Sequence, residues 1–177
     1  LLVAPAGRSD GAACQRVGED VSAKGQSMID ERIVPNFWLS EFLHSDTAER
    51  LHLDNTPLPS EMANIRNLLA PGMQSVRDCL AAPVFITSAY RSPEVNRAVR
   101  GAKNSQHAQG LAADFKSPGF GMARTIVKHL MAHSGAVRFD QLIHEGTWVH
   151  ISFAQHPRGE VLTAHFGPNG TTYTRGV

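Results

Sequence analysis

Cysteine is nearly absent, with Cys14 and Cys79 the only two in 177 residues. Their separation matches no metal-knuckle spacing; they could pair with each other, and the plainer reading is two free thiols in a reducing compartment. No run approaches the roughly 18 apolar residues of a membrane-spanning helix. The opening Leu1–Ala6 is too short for a complete signal peptide, although it fits the remnant of a longer one. An excess of one charge is missing too. Seventeen basic against sixteen acidic side chains leave a net charge of +1, and no basic stripe of the nucleic-acid-binding kind is visible. Internal repeats are also lacking. What remains is a globular balance, 42% hydrophobic and 19% charged, in a chain long enough to bury one core without staples.

Residues 1–27 are rich in Gly, Ala, Ser and charge without periodicity, and read as a flexible leader lying ahead of a natural start at Met28. A single domain then covers 28–177. Ser40 and Ser45 announce two short helices. Thr56-Pro57-Leu58-Pro59-Ser60-Glu61 starts a longer one. Its stripe is Met62, Ile65, Leu69, Met73, Val76 and Leu80, at intervals of three and four. Pro71-Gly72 interrupts that stripe without changing its phase, which predicts one kinked helix.

Val84–Tyr90 reads as a strand. Pro93 to Arg100 is a short helix capped by Ser92, Leu111–Phe115 a strand entered through Gly110, and Met122–His133 an amphipathic helix with Ile126, Leu130 and Met131 inward. Gln141–His144 and Trp148–Ala154 are strands joined tightly at Gly146. From Gly167 on, the chain reads as a peripheral strand or tail. The class is α+β: a small, mostly antiparallel sheet with helices packed on it.

The chemistry concentrates in Ser105-Gln106-His107-Ala108-Gln109-Gly110-Leu111-Ala112-Ala113-Asp114. A His and an Asp seven apart cannot share a face in one regular strand. A turn at Gly110, which tolerates positive φ, lets them meet. Ala112 leaves room beside the carboxylate. Trp148-Val149-His150-Ile151-Ser152-Phe153 supplies a third ligand type. Val149, Ile151 and Phe153 face the core, leaving Trp148, His150 and Ser152 on the other face. Two imidazoles and a carboxylate are ordinary zinc ligands, and three protein ligands leave a position open for water. Each residue taken alone is more often a solvated or structural group.

Taken together, Ser-x-His-x-x-Gly-x-Ala-x-Asp followed by Trp-x-His-x-Ser resembles the zinc D-Ala-D-Ala carboxypeptidase family (peptidase M15) and its phage relatives. Thr87-Ser88-Ala89-Tyr90-Arg91-Ser92-Pro93, with Asn96, resembles that family's strand-to-helix segment. The likeness spans roughly Phe37 to Ala154. It implies a Hedgehog/DD-peptidase-like fold, with one zinc ion held by His107, Asp114 and His150. It also implies Arg91 at the substrate carbonyl or carboxylate, with Tyr90, Ser105 and Trp148 at the substrate; Ser105 reads equally well as a turn cap. Two positions depart from the family's pattern. Ala89 stands where many members have Gly, and Thr147 where members carry the general base. Glu145 is the nearest upstream acid and takes that role if Gly146-Thr147 makes a turn or bulge; Asp140 is the fallback, and reads more readily as a loop cap.

The implied reaction is hydrolysis of peptide bonds in peptidoglycan stem peptides, either at the terminal D-Ala or inside the stem. Its place is the periplasm or cell wall, reached with or without a phage-type release. The protein is read as a monomer. A second reading is a zinc-stabilised wall-binding module without turnover, and His, His and Asp would also accept cobalt or nickel. A cysteine hydrolase is a poor fit, because no His is positioned against Cys79. His129 and His133 have helical zinc spacing, yet Leu130 occupies the glutamate position of such a motif, and both read as surface histidines.

Overall fold

The computed structural model describes residues 30–168 and 170–177. Cys14, Met28 and the leader assigned to 1–27 lie outside the described residues. Two short antiparallel strands, β1 (Arg32–Val34) and β2 (Phe37–Trp38), lead into helices α1 (Leu39–Leu43) and α2 (Asp46–Leu51). Ser45 caps α2 as expected, its hydroxyl oxygen accepting the Ala48 N–H at 3.2 Å. Ser40 instead lies inside the first turn of α1, where its hydroxyl donates to Asp30.

The long apolar stripe forms one helical rod of α3 (Pro59–Asn64), a π-turn (Ile65–Leu69) and α4 (Ala70–Leu80). The irregularity expected at Pro71-Gly72 is taken up just before it. Pro71 has no N–H to donate, and the Ala70 N–H reaches back to the Ile65 carbonyl, the wider bond of a π-turn. The inserted residue brings Ala70 beside Leu69 into the buried stripe with Ile65, Met73, Val76 and Leu80. Gly72 has a separate role: a Cβ there would come within 2.4 Å of the Phe153 ring, which lies on the helix backbone.

Six strands follow in one sheet: β3 (Phe85–Ser88), β4 (Ala112–Lys116), β5 (Gln141–Glu145), β6 (Trp148–Ser152), β7 (Glu160–Gly167) and β8 (Gly170–Arg175). Their spatial order is β3-β4-β6-β5-β7-β8, antiparallel throughout except for the parallel β5–β7 pair. Helix α5 (Pro93–Ala98) joins β3 to the loop before β4, and α6 (Ala123–Ala132) joins β4 to β5. Ser92 caps α5, its hydroxyl oxygen accepting the Val95 N–H. Ala113 and Phe115 from β4, Val149 and Ile151 from β6, and Leu142 from β5 are fully buried in one core with Leu69, Met73, Val76, Ile126 and Leu130. The α+β class is therefore as the sequence implies. Among the described residues, no helix is long and apolar enough to cross a membrane.

The peripheral strand expected from Gly167 on is β8, an exposed edge strand, and it pairs with β7, an element the sequence reading left out. Two local expectations are corrected. Met131 is 43% exposed; the buried stripe of α6 is Ala123, Ile126, Val127 and Leu130, which leaves Met131 at its margin. The first sheet strand stops at Ser88, and the next two residues turn into the core, where the Tyr90 N–H donates to the Phe42 carbonyl at 3.0 Å.

Candidate metal centre

Strand register builds the floor of the site. Asp114 on β4 lies opposite His150 on β6 and, on its other side, opposite Ser88 on β3. Directly opposed residues of an antiparallel ladder project to the same face. On β5, Ile143 is opposite His150 and Glu145 is opposite Trp148, which extends that face by one more strand. The other face carries the core, so the alternation in β4 and β6 gives one side to packing and one to chemistry.

His107 arrives from the loop between α5 and β4. Gly110 has φ of +68°, and a Cβ there would meet the Glu61 carbonyl oxygen at 2.6 Å. A side chain is therefore excluded both by backbone conformation and by space. The loop is pinned on several sides. The Arg91 N–H donates to the His107 carbonyl at 3.3 Å, Asn64 Nδ2 to the Gln109 carbonyl at 2.9 Å, and Gln106 Nε2 to Asp140 Oδ2 at 2.8 Å. Asn96 Nδ2 holds the start of the loop through the Ala102 carbonyl at 2.9 Å. Gly110→Ala is expected to destabilise the fold by about 2 kcal/mol and to weaken metal binding by displacing His107. Thermal denaturation and a metal titration of the variant check both effects.

The three donors converge. His107 Nε2 lies 3.1 Å from His150 Nδ1 and 3.2 Å from Asp114 Oδ1, and His150 Nδ1 lies 2.9 Å from Asp114 Oδ1. All three residues are buried. The His107 Nδ1–H donates to the Ala89 carbonyl at 2.7 Å, which leaves Nε2 with its lone pair turned to the others. Burial lowers the His107 pKa, against the opposing pull of the Asp114 charge, and so favours the neutral imidazole. For Asp114, burial alone would raise the pKa, but the facing His107 and His150 hold the carboxyl well below the usual range. Two imidazoles and a carboxylate, separated by about the 3.3 Å expected between neighbours around a tetrahedral zinc ion, make a donor set that fits this metal.

Arg91 takes the far side of the carboxylate. Its Nη2 donates to Asp114 Oδ2 at 2.6 Å and its Nε to Ser88 Oγ at 2.9 Å. Asp114 is thus oriented with one oxygen to the arginine and one to the imidazoles. Glu145 stands at the end of β5, and Gly146-Thr147 form the two-residue turn that leads to Trp148, with Gly146 at φ of +72°. That turn puts Glu145 on the site face, diagonal to His150. Trp148 Nε1–H donates to Glu145 Oε2 at 2.7 Å. Burial and the nearby Asp114 charge raise the Glu145 pKa, opposed by His150, by the Trp148 hydrogen bond and by Arg91.

These groups line an open cleft of about 910 Å³, within the size range of ligand sites. Ser105 and Trp148 line it as well. Ser105 also has a turn role, its carbonyl accepting the Ala108 N–H at 3.1 Å. Tyr90 is not brought to the cleft: it is 2% exposed, within the core, because the chain leaves the sheet after Ser88. Asp140 is engaged elsewhere, bonded by Arg158 Nε at 2.9 Å and Gln106 Nε2 at 2.8 Å, and these pairings, Arg158 foremost, pull its pKa down to about 2. It braces the His107 loop rather than facing the cleft. Cys79 is a free thiol away from the cleft lining, and burial pushes its pKa up.

Sequence reasoning missed Ser88 as a support for Arg91. It also missed the wall supplied by β7 and β8, where Leu162, Phe166, Tyr173 and Arg175 line the cleft. Burial, with the Glu145 and Asp114 charges, raises the Tyr173 pKa and keeps its phenol a hydrogen-bond donor. The signal for this hairpin was the Pro168-Asn169-Gly170 turn sequence.

A family model described as Peptidase M15 matches residues 35–152, which include all three converging donors and Glu145. The chain is a member of the peptidase M15 family. Peptidases of this family are zinc-dependent, and His107, Asp114 and His150 form the candidate zinc site of this member. No curated protein matches the chain.

Proposed function

We propose that this M15 peptidase hydrolyses peptide bonds of peptidoglycan stem peptides, with one zinc held by His107, Asp114 and His150 and with Glu145 as general base. The fold is assigned to the Hedgehog/DD-peptidase-like kind, and the site of action to the periplasm or cell wall. The observation that carries this reading is the convergence of three donor atoms within 3.2 Å in a cleft whose same sheet face holds Glu145.

A zinc ion held by His107, Asp114 and His150 would lower the pKa of a bound water and polarise the scissile carbonyl. Glu145 accepts the proton of the attacking water and delivers it to the leaving amine. Its raised pKa suits both halves of that exchange, since the group must gain and lose a proton near neutral pH. Trp148, through its bond to Oε2, leaves the other carboxylate oxygen for the water. Arg91 orients Asp114 through its bond to Oδ2, and from the cleft wall it also offers charge to the developing oxyanion. Ser105, Trp148 and Tyr173 stand where substrate backbone and side chains would lie.

The test is mass spectrometry of purified muropeptides incubated with the protein. Cleavage that disappears on chelation and returns with zinc supports the reading, and the product mass separates carboxypeptidase from endopeptidase action. Muropeptides left intact by the zinc-reconstituted protein would overturn it in favour of a zinc-stabilised wall-binding module.

A further inference from the structure

A second group of metal-type donors lies away from the cleft. Cys79, near the end of α4, meets His129 and His133, one turn apart at the end of α6, and one donor atom from each lies within 4.8 Å of the other two. None of the three lines the cleft. The two imidazoles are stacked, with ring centroids 4.2 Å apart and planes at 27°. The Phe120 ring packs edge-on against His129 at 4.8 Å, and His129 Nε2 is 3.3 Å from the Cys79 carbonyl oxygen. The His133 Nδ1–H donates to the His129 carbonyl at 2.8 Å. That bond leaves His133 Nε2 with its lone pair free, the arrangement by which backbone carbonyls prepare imidazoles for metals.

Side chains from two helices, far apart in sequence, therefore present one sulfur and two nitrogens to a common point. We propose that Cys79, His129 and His133 form a second metal site, taking one borderline-soft divalent cation, zinc foremost, with the fourth position left to water. Thiolate and imidazole donors select such cations over magnesium or calcium. Neighbouring donors around a tetrahedral zinc stand about 3.3–3.8 Å apart, so closure needs a movement of about an ångström. Exposed His133 supplies it by side-chain rotation. The site is a clamp between the ends of α4 and α6 rather than a second catalytic centre, because Leu130 occupies the place where a hydrolytic helical motif carries its base. Since the ion binds the folded chain, loading raises thermal stability.

Cobalt titration of the full chain tests this independently of the peptidase reading. The cleft site offers only nitrogen and oxygen donors, so thiolate-to-cobalt charge-transfer absorption reports sulfur ligation alone. The wild type and Cys14→Ser are expected to show that absorption, saturating by two equivalents because the cleft donors take cobalt as well. Cys79→Ser should lose it, and exposed His133→Ala should weaken the cobalt affinity behind it by at least roughly tenfold. Absence of the absorption in the wild type, its survival in Cys79→Ser, or an unchanged affinity in His133→Ala would each overturn the proposal. Circular dichroism of each variant confirms that a loss is read on folded protein.

Discussion

Glu145→Gln is expected to lower kcat on muropeptides by about 10²–10⁴-fold while zinc content and Tm stay at wild-type values. Glutamine keeps the shape of the side chain and can still accept the Trp148 indole N–H, which in the wild type bonds Glu145 Oε2 at 2.7 Å. What it cannot do is take a proton from water. The base works as the carboxylate, so wild-type activity rises with pH through its titration, and the variant should lose that acid limb. Steady-state kinetics across pH, with metal analysis on the same samples, check the three readouts together. A variant that cleaves at the wild-type rate would remove Glu145 from the mechanism.

His150→Ala is expected to abolish measurable hydrolysis and to weaken zinc binding at the cleft by at least about 100-fold, since even outer-shell partners of metal ligands are worth 10–100-fold. This substitution is cleaner than one at Asp114. Removing Asp114 would leave the largely buried Arg91 without its 2.6 Å partner and damage folding as well as binding. With His150 gone, Asp114 keeps Arg91 and His107 keeps the Ala89 carbonyl. The zinc-dependent rise in Tm contributed by the cleft should vanish in the variant, which calorimetry with and without chelator measures.

The metal-free wild type has its own pH signature. Burial lowers the folded His107 pKa from its ordinary 6.5, so below that pH the unfolded chain binds the proton more readily. The stability this histidine contributes is fully present above 6.5 and is lost as pH falls toward its folded value. Asp114, held low by the two histidines, adds a second loss that begins only below its ordinary 3.8. Denaturant unfolding of chelated protein at pH 7.5 and 5.5 should therefore show lower stability at the more acidic pH.

The candidate ligands were legible because their logic is local. Glycine at position 110 marks a turn that only a residue without Cβ can make there, and the alternation around Asp114 and His150 follows from the period-two geometry of strands. The Ser92 and Ser45 caps and the Gly146 turn are short-range in the same way. The Pro71 irregularity was legible as a place, while its form, a π-turn, depended on how Leu69 and Ala70 both reach the core.

Tertiary structure alone decided the rest. Tyr90 and Arg91 are neighbours in one motif, yet the tyrosine is buried and the arginine holds Asp114, because the chain leaves the sheet after Ser88 and the bulge in β3 sets that serine opposite Asp114. Asp140 was separated from the base role by Arg158, eighteen residues further on. The parallel seating of β7 beside β5 put Phe166 and Tyr173 on the cleft wall, and the packing of α4 with α6 brought Cys79 to His129 and His133. Spacing and turn chemistry are written residue by residue in the chain. Which distant groups meet depends on sheet register and helix packing, set by burial of the whole core.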